Sequence, residues 1–307
     1  MSAPENIRSE TIACVVLNWN GGHDTERCIR SLLDARHVAL DILVVDNGST
    51  DGSERVLAAL FPHLTILKQQ TNLGVAKGFN LGIDWALATG CDFVFFLNND
   101  ATVDVDCLSM LRRALESSEH AGIASPRILD GARPGLMWFD GGEKNIWGDP
   151  VHRGIGSPSK RNPETHQQHF ATGCAMLVRA GVFADVGKFD ERFFAYSEDV
   201  EFCVRAGRRG WRTIHYSQAL ATHYPSSATK RNKGKWFRDY YVTRNKLLLL
   251  NDELRGMAWV SFVAYFSVKY VLVQCAFFLI TGQFRRIAAI FTGVSDYVNG
   301  KFGARYS

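Results

Sequence analysis

Short apolar runs alternate with segments of helical periodicity along the first 120 residues or so. The apolar runs are IACVVLN, DILVVD, LTILK and DFVFFLN, and each precedes a stretch whose apolar residues recur every three or four positions. Parallel strands need crossover connections, and their sequences are apolar throughout because both faces of the sheet are covered. The pattern predicts an α/β fold with a largely parallel central sheet flanked by helices.

The alternation ends after the strand-like run GIASPRIL. Residues 130–169 are rich in Gly, Pro, Asn and charge, and they carry isolated aromatic residues. A connection of this length inside a compact domain is usually functional or disordered. Patterns typical of strands return at FATGCAMLVR and RTIHYSQAL, and a helix is predicted after Ser197, with Ser197 as its N-cap.

The C-terminal part of the chain has a different composition. Residues 257–280, MAWVSFVAYFSVKYVLVQCAFFLI, contain one charged residue, Lys269, and about 20 apolar residues suffice to span a bilayer. A charge in mid-segment is costly inside a membrane, and Arg255, Arg285 and Arg286 flank both ends, so the charges favour no orientation. Attachment to a membrane surface, a true span, and a core or oligomer contact are all consistent with this pattern.

The chain has 307 residues, of which 46% are hydrophobic, and this is enough for a large core. The net charge is only +4, but eleven Lys or Arg lie between residues 205 and 246 against one acid, Asp239. This local excess predicts an anionic partner such as a diphosphate, a lipid headgroup or nucleic acid, although a solvated basic face has the same pattern.

The seven cysteines form no C-x-x-C pair and lie mostly in apolar runs. They are typical of small core residues in a reducing compartment. The first ten residues, MSAPENIRSE, lack the apolar region of a secretory signal, so a cytoplasmic location is expected.

Two of the predicted strands end in polar side chains. VVDNGSTDGS places Asp46 at the end of one strand, and FFLNND places Asn98, Asn99 and Asp100 at the end of another. Open α/β sheets bind ligands at the carboxyl ends of their parallel strands, and oxygen ligands suit Mg²⁺ or Mn²⁺ held together with phosphate. An ordinary Asn-Gly turn and a helix N-cap are the alternative explanations. Together, the two motifs favour a nucleotide and metal site.

The segment FDERFFAYSEDVEFC contains two adjacent carboxylates, Glu198 and Asp199, behind an aromatic run. A carboxylate in a partly desolvated pocket can serve as a general base, because its pKa can be tuned there. Acids in the first turn also complement the helix dipole, so a purely structural role is the alternative. His223 follows a predicted strand, and a lone His is more often structural than a metal ligand.

The order of these motifs resembles glycosyltransferase family 2, whose members have the GT-A nucleotide-sugar fold, and is closest to the rhamnosyltransferase-like members that build bacterial polysaccharides. The matching stretches, between residues 13 and 250, are VVLNWNGG, VVDNGSTDGS, NLGVAKGFNLGI, FLNND, TGCAMLVR, VGKFDERFFAYSEDVEFCVRAGRRGW, His223 and YYVTRNKLLLL. The resemblance implies an inverting glycosyltransferase. Its donor would be a nucleoside-diphosphate sugar of the dTDP or UDP type, with rhamnose as one candidate sugar, and its acceptor a glycan or a polyprenyl-linked glycan.

The resemblance also implies roles for particular residues. Asp199, with Glu198 beside it, would supply the catalytic base, and Asp100 and His223 would hold Mn²⁺ or Mg²⁺. Asn98 departs from the family pattern, which has an acid there in a D-x-D metal motif, so this site carries less negative charge than a pair of carboxylates. The residues expected to bind the donor are Asn18, Asn20, Asp46, Asn72, Gly74, Lys77, Asn80, Asn98, Asn99 and Gly173.

The implied reaction is a single displacement at the anomeric carbon, in which Asp199 takes the proton of the acceptor hydroxyl and the configuration inverts. A sugar-phosphate nucleotidyltransferase is one alternative, but it should carry a basic Gly-rich loop after the first strand, and NWNGGHDTE has no Lys or Arg before Arg27. The other alternative is a non-catalytic, membrane-associated scaffold that binds nucleotide sugars.

These expectations divide the chain into a GT-A domain at 1–250, in which 130–169 form an acceptor-side insertion, and a hydrophobic helical region at 251–307 that associates with the membrane. The expected location is the inner face of the cell membrane. A homo-oligomer is compatible with the apolar region, and nucleic acid is not an expected partner. The residues expected to meet the lipid surface are Lys230, Arg231, Lys233, Lys235, Trp236, Tyr240 and Tyr241.

Overall fold

The computed structural model describes residues 10–159, 165–225 and 234–305. The strands are β1 (Thr11–Asn18), β2 (Ala39–Asp46), β3 (Thr65–Lys68), β4 (Phe93–Asn98), β5 (Ala101–Val103), β6 (Ala121–Asp130), β7 (Met137–Phe139), β8 (Gly142–Lys144), β9 (Pro150–His152), β10 (Thr165–Gln168), β11 (Ala175–Arg179) and β12 (Arg212–His223). The helices are α1 (Gly22–Leu33), α2 (Ser53–Leu60), α3 (Gly74–Thr89), α4 (Cys107–Glu116), α5 (Ala180–Val186), α6 (Glu198–Arg208), α7 (Gly234–Glu253), α8 (Gly256–Phe266), α9 (Gln274–Ile280) and α10 (Phe284–Val298), with a π-helical segment (Ser267–Val273) between α8 and α9.

One large sheet has the strand order β10-β12-β6-β11-β4-β1-β2-β3. The strands β4, β1, β2 and β3 pair in parallel, and β12 runs parallel to β6. Antiparallel pairing occurs where β11 lies between β4 and β6, and at the edge strand β10. The predicted α/β fold with a largely parallel sheet is therefore confirmed.

Helix α3 packs very closely on this sheet. Phe79 of α3 lies edge-on against Phe96 of β4, with ring centroids 4.9 Å apart. One turn further along, Gly82 lies over Val15 of β1, and a methyl group at Gly82 would overlap the Val15 side chain. The missing side chain at Gly82 thus sets the distance between α3 and the sheet.

The segment at 130–169, whose composition is typical of a loop, contains short strands in its described part. β7 pairs with β6, β10 pairs with β12, and β8 and β9 form a separate two-stranded ribbon. Asp140 anchors the segment, because its Oδ1 accepts hydrogen bonds from Arg127 Nε at 2.7 Å and from the His215 ring at 3.0 Å. Burial alone would raise the pKa of Asp140, but these two partners hold it well below its usual range.

Helix α7 lies inside the protein. Tyr240, Tyr241 and Arg244 are almost fully buried. The Tyr241 ring stacks on Phe194 at 5.1 Å, and the Tyr240 hydroxyl donates to Asp296 of α10 at 2.7 Å. The prediction that Tyr240 and Tyr241 face lipid is therefore wrong, because both rings fill space between helices. The predicted membrane contacts Lys230, Arg231 and Lys233 lie outside the described residues.

The helix from Gly256–Ile280 is long and apolar enough to cross a membrane by length and composition, and only 11% of its most apolar window is buried. Its one charged residue turns toward the protein. Lys269 Nζ donates to the Tyr265 hydroxyl at 2.5 Å and lies 3.9 Å from Asp149 Oδ2, a buried carboxylate in the 130–169 segment. One face of this helix is thus tied to the domain. The predicted boundary at residue 250 falls inside α7, and the division into domains stays a prediction.

Replacing Gly82 by Ala tests the close approach of α3 to the sheet. The added methyl must displace Val15, so we expect Gly82→Ala to lower the free energy of unfolding by about 1–3 kcal/mol, measured by urea denaturation. Gly207→Ala in α6 is the matched control. No described atom lies within 4 Å of a methyl at Gly207, so that variant should be neutral or slightly stabilising. Equal stability of the two variants would contradict the packing argument.

Candidate active site

The carboxyl ends of three neighbouring strands bring the predicted polar residues together. Asn18 at the end of β1 pairs in register with Asp46 at the end of β2, and Leu17 of β1 pairs with Asn98 at the end of β4. The order of strands β4-β1-β2 therefore places both predicted motifs at one edge of the sheet, where the open crevice of such folds lies.

Asn18 and Asp46 form a fully buried hydrogen-bonded pair. Asn18 Nδ2 donates to Asp46 Oδ1 at 2.8 Å and to Ser53 Oγ at 2.9 Å, while Asn18 Oδ1 accepts from Thr25 at 2.7 Å. The backbone N–H of Ser49 donates to Asp46 Oδ2 at 3.2 Å. Both the NH2 group and the oxygen of the Asn18 amide therefore form hydrogen bonds inside the protein. The pair consequently fixes the turn after β2 against the start of α1.

The turn after β2 also holds the loop that leads into α3. Asn47 donates to Asn72 Oδ1 at 3.2 Å and to the carbonyl of Gly74 at 3.0 Å, and it accepts from Leu73 N at 2.9 Å. Gly48 has a φ of +76° and approaches the backbone of the 71–72 segment, which leaves no space for a side chain. Asn20, with a φ of +52°, accepts from Thr50 N at 2.8 Å. Asn20, Asp46, Asn72 and Gly74 thus border one connected loop cluster.

Two further predicted donor residues lie on α3 and face the 189–191 segment. The Asn80 side chain is buried, donating to the Phe189 carbonyl at 2.9 Å and accepting from Phe189 N at 2.9 Å. Lys77 is half-exposed, and its Nζ lies 3.7 Å from Glu191 Oε2. The structure therefore gives Asn80 a role in holding this segment, and donor binding by Lys77 and Asn80 stays a prediction.

Asp100 and His223 come together although 123 positions separate them in the sequence. Antiparallel pairing of β5 with β12 sets His223 opposite Ala101, and His223 Nε2 lies 3.3 Å from Asp100 Oδ1. Trp138 from the 130–169 segment covers the imidazole with its ring centroid 4.5 Å away. Asn99 Nδ2 donates to Thr25 of α1 at 3.0 Å.

The donor atoms of Asp100 and His223 fit two ligands of one divalent cation. A carboxylate oxygen and an imidazole nitrogen at this separation can share a metal, and a phosphate-bound cation needs few protein ligands. Within the described residues, no group of three or more His, Cys, Asp or Glu side chains forms a ready-made metal cage. His223 Nδ1 is buried with no hydrogen-bond partner among those residues. The remaining ligands would therefore have to come from a bound nucleotide or water.

Glu198 and Asp199 begin α6 beside the loop that leads into β11. Asp199 is partly exposed, and it accepts from Gly173 N at 2.8 Å and from Val200 N at 2.8 Å. Burial raises the pKa of Asp199, against the lowering effect of these hydrogen bonds. Burial together with the neighbouring Asp199 charge also raises the pKa of Glu198, and one carboxyl oxygen of Glu198 is buried without a described partner. The pair therefore holds one proton more readily than two ordinary carboxylates would.

Cys174 connects the two acidic sites. Burial raises the pKa of its thiol, and the nearby charges of Asp100 and Asp199 raise it further. Cys174 accepts a backbone hydrogen bond from Asn98 N at 2.9 Å. The possible metal site and the carboxylate pair are consequently neighbours across the β4–β11 strand pair.

The backbone immediately before α6 is strained. Phe194, Tyr196 and Ser197 have φ values of +62°, +68° and +73°, a region that costs a non-glycine residue about 1 kcal/mol or more. Ser197 occupies the N-cap position as predicted, and its carbonyl accepts from Glu201 N at 3.0 Å, but its side chain makes no capping hydrogen bond. A left-handed residue directs its side chain away from the first helical N–H groups.

Two residues that sequence reasoning left without a role hold this strained segment. Asn245 and Arg244 of α7 are buried and donate hydrogen bonds to its carbonyl groups. The signal was present in the motif YYVTRNKLLLL, which places a charged and an amide side chain next to a leucine run. A polar pair in such a run has to find buried partners.

A largely parallel sheet with polar residues and a carboxylate pair at its carboxyl edge is the arrangement expected of the GT-A class of nucleotide-sugar enzymes. The chain belongs to the family described as Glycosyl transferase family 2, which matches residues 13–187. The protein is therefore a glycosyltransferase, as the motif order predicts, and family membership does not favour the nucleotidyltransferase or scaffold alternatives.

The chain is similar to two rhamnosyltransferases. It is 28% identical over 267 residues to the N-acetylglucosaminyl-diphospho-decaprenol L-rhamnosyltransferase of Mycobacterium tuberculosis, covering 81% of this chain and 86% of the relative. It is 27% identical over 219 residues to the dTDP-rhamnosyl transferase RfbF of Shigella flexneri, covering 69% of this chain and 71% of the relative. The resemblance to rhamnosyltransferase-like members of the family is confirmed.

A solved structure supports the fold. The crystal structure of GalNAc-T7 with UDP, GalNAc and Mn²⁺ superposes with a TM-score of 0.58 at 12% identity. The match covers 87% of this chain and 59% of that one, so the present chain spans less than two thirds of that protein. At this identity the likeness concerns the GT-A fold alone.

Metal binding by the Asp100–His223 pair can be measured directly. We expect titration with Mn²⁺ in the presence of dTDP or UDP, followed by electron paramagnetic resonance, to show one bound ion. Asp100→Asn and His223→Ala should each weaken binding at least about tenfold, because each removes one of two protein ligands. Asp106→Asn is the control, since Asp106 is an exposed acid beyond β5 whose loss should leave the titration unchanged. Undiminished Mn²⁺ binding in Asp100→Asn would rule out the assignment.

Proposed function

We propose that this glycosyltransferase moves a sugar, with inversion, from a dTDP- or UDP-sugar to a polyprenyl-linked glycan during cell-surface polysaccharide synthesis. The observation that carries the proposal is the partly exposed Asp199 carboxylate with a raised pKa, next to the sheet edge that carries Asp46 and Asp100. Inversion is typical of the family, and the similarity to two rhamnosyltransferases supports rhamnose as the sugar.

The donor would bind along the loop cluster at the ends of β1 and β2. Asp46 and Asn18 are already bonded to each other, so their main contribution is to hold the surrounding turns in place for the nucleoside. Asn20, Asn72 and Gly74 border the same cluster, and Gly173 and Asn98 lie on the side toward Asp199. Lys77 is half-exposed and carries the positive charge suited to a diphosphate.

Asp100 and His223 are the residues that would hold Mn²⁺ or Mg²⁺. A divalent cation in this position supplies positive charge that stabilises a departing diphosphate. Asn98, which stands where the family has an acid, offers an amide oxygen that can accept a hydrogen bond from a metal-bound water.

In the reaction, a hydroxyl oxygen of the acceptor attacks the anomeric carbon of the donor sugar. The bond between that carbon and the diphosphate oxygen breaks, and the nucleoside diphosphate leaves with the electron pair. Asp199 takes the hydroxyl proton. Its raised pKa makes it a stronger base than an ordinary carboxylate, and the backbone N–H groups of Gly173 and Val200 orient it. A neutral Glu198 beside it would leave one negative charge in the pair.

Mass spectrometry of products from a panel of dTDP- and UDP-sugars, with polyprenyl-diphosphate N-acetylglucosamine as acceptor, tests this function. We expect one donor to give a glycosylated lipid, and Asp199→Asn to lower turnover at least about 100-fold while nucleotide binding persists, because the base is lost. When the pH is lowered, turnover of the native enzyme should begin to fall at a pH above the pKa of an ordinary carboxyl group. Asp199 becomes protonated there and can no longer accept the hydroxyl proton.

Glu201→Gln is the matched control for Asp199→Asn. Glu201 lies on the same turn of α6, but its carboxylate is paired with Arg205 at 2.7 Å. Its loss should change turnover only severalfold. If Asp199→Asn keeps near-normal turnover, the base lies elsewhere. If no donor in the panel is consumed, the proposed substrate class is wrong.

The enzyme would work as a peripheral protein on the inner face of the cell membrane, with the Gly256–Ile280 helix lying on the lipid. Lys269, which would be costly inside a bilayer, is directed toward Asp149 and Tyr265 instead. Exposed basic residues, Lys235 and Arg238 among them, would add attraction to anionic lipid. The apolar side chains exposed on this helix are Met257, Val260, Val268, Leu272, Val273, Phe277, Leu279 and Ile280.

Co-sedimentation with vesicles of phosphatidylglycerol and phosphatidylethanolamine tests the membrane contact. The variant Leu272→Glu/Phe277→Glu should bind vesicles at least about tenfold more weakly, because two exposed apolar groups become charged. Val56→Glu on α2 is the control, since Val56 is equally exposed but remote in sequence from the helix. A native protein that ignores these vesicles would make an oligomer contact the better explanation of the apolar face.

A further inference from the structure

Residues 192–196, which lie just before α6, have a row of carbonyl groups that helix and strand pairing do not satisfy. The segment 192–196 is neither helix nor strand, and two of its residues have positive φ. Buried carbonyl groups without donors are strongly disfavoured. The positions of Glu198 and Asp199 therefore depend on what supplies those donors.

Asn245 supplies most of them. Its Nδ2 is within hydrogen-bond distance of the carbonyl oxygens of Phe193 at 2.8 Å, Ala195 at 2.7 Å and Tyr196 at 2.7 Å. The side chain is completely buried, and its Oδ1 accepts from Arg244 Nε at 3.0 Å. The NH2 group has two hydrogens, so it can donate to two of these three carbonyls at a time or share one hydrogen between two of them.

Arg244 completes the set from the other side. One terminal nitrogen donates to the carbonyls of Arg192 and Phe193, each at 3.0 Å, and the other donates to the carbonyl of Gly303 at 2.8 Å. Its guanidinium lies 4.9 Å from the centre of the Tyr241 ring. The guanidinium consequently joins the segment to the C-terminal end of the chain.

Arg244 and Asn245 do not bond to the Phe194 carbonyl, which accepts hydrogen bonds from the start of α3 instead. Val75 N and Ala76 N, at the start of α3, donate to the Phe194 carbonyl at 2.5 Å and 3.3 Å. Gly74, with a φ of +84°, is the residue that allows this close approach. The 192–196 segment is therefore held between α7 and the start of α3.

We propose that Arg244 and Asn245 are positioning residues, which hold the 192–196 backbone so that Asp199 is aligned with the acceptor hydroxyl and the bound donor. This inference rests on the proposed role of Asp199. It assigns a function in the reaction to α7, which contributes neither a donor contact nor a base. The two residues act through the backbone and touch no substrate.

The test compares Asn245→Ala and Arg244→Lys with Thr243→Val. Asn245→Ala removes the amide donor that the carbonyls of 193, 195 and 196 share, and Arg244→Lys keeps the charge but loses the forked geometry. Thr243 is a buried polar residue on the same helix that faces Gly293 of α10 instead of the segment, so Thr243→Val controls for disturbance of α7. Turnover is measured with the donor and acceptor found by mass spectrometry, and dTDP or UDP binding by calorimetry.

We expect Asn245→Ala to lower kcat at least about tenfold with nucleotide affinity and donor KM within about threefold of native values. Hydrogen–deuterium exchange should rise in the peptide that contains 192–199. Arg244→Lys should show a smaller change of the same kind, and it carries the test if Asn245→Ala does not fold. Thr243→Val should keep native kcat even if its melting temperature falls.

Native kcat in folded Asn245→Ala and Arg244→Lys would overturn the inference, as would an equal loss of kcat in Thr243→Val. Failure of the proposed function has a different signature. If Asp199→Asn keeps native turnover, the base assignment is wrong whatever the α7 variants do. If Asp199→Asn is inactive and the α7 variants keep native kcat, the base assignment stands and only the proposed positioning role is wrong.

Discussion

Every carbonyl between residues 192 and 196 needs a hydrogen-bond donor, and this requirement organises much of the protein. Most of the donors come from the start of α3 and from α7, which lies beyond the family's matched region, and Gly303 N donates to the Arg192 carbonyl at 2.9 Å. A helix outside the matched region thereby holds the segment that precedes the Glu198–Asp199 pair. The strain stored at Phe194, Tyr196 and Ser197 persists because the surrounding contacts specify it completely.

The acidic side chains around the carboxyl edge of the sheet have different partners. Asp100 faces His223, Asp46 is bonded to Asn18, and Glu198 beside Asp199 has a pKa high enough to favour its neutral form. Burial raises the pKa of both members of the Glu198–Asp199 pair. Asn98, which stands where the family has an acid, leaves one carboxylate fewer at this edge of the sheet.

The C-terminal helices have two unlike faces. Toward the domain they present polar groups, among them Lys269 and Tyr270, which converge on the buried Asp149. Away from it they expose large apolar side chains that no described part of the chain covers. Because the polar face is fixed to the 130–169 segment, a lipid surface contacting the apolar face would lie on the same side of the protein as the segment predicted to be an acceptor-side insertion.

The sequence by itself determined the alternating strands and helices, the largely parallel sheet, and the placement of Asp46 and Asp100 at strand ends, because apolar periodicity and strand direction are local properties. It also identified Glu198 and Asp199 as adjacent acids in the first turn of a helix. Only the tertiary structure decided that Asp100 meets His223, that Tyr240 and Tyr241 are buried, that the Ser197 side chain makes no capping hydrogen bond, and that Arg244 and Asn245 hold the backbone before α6. These features depend on contacts between segments far apart in the chain and on left-handed backbone conformations, and neither leaves a periodic pattern in the residues themselves.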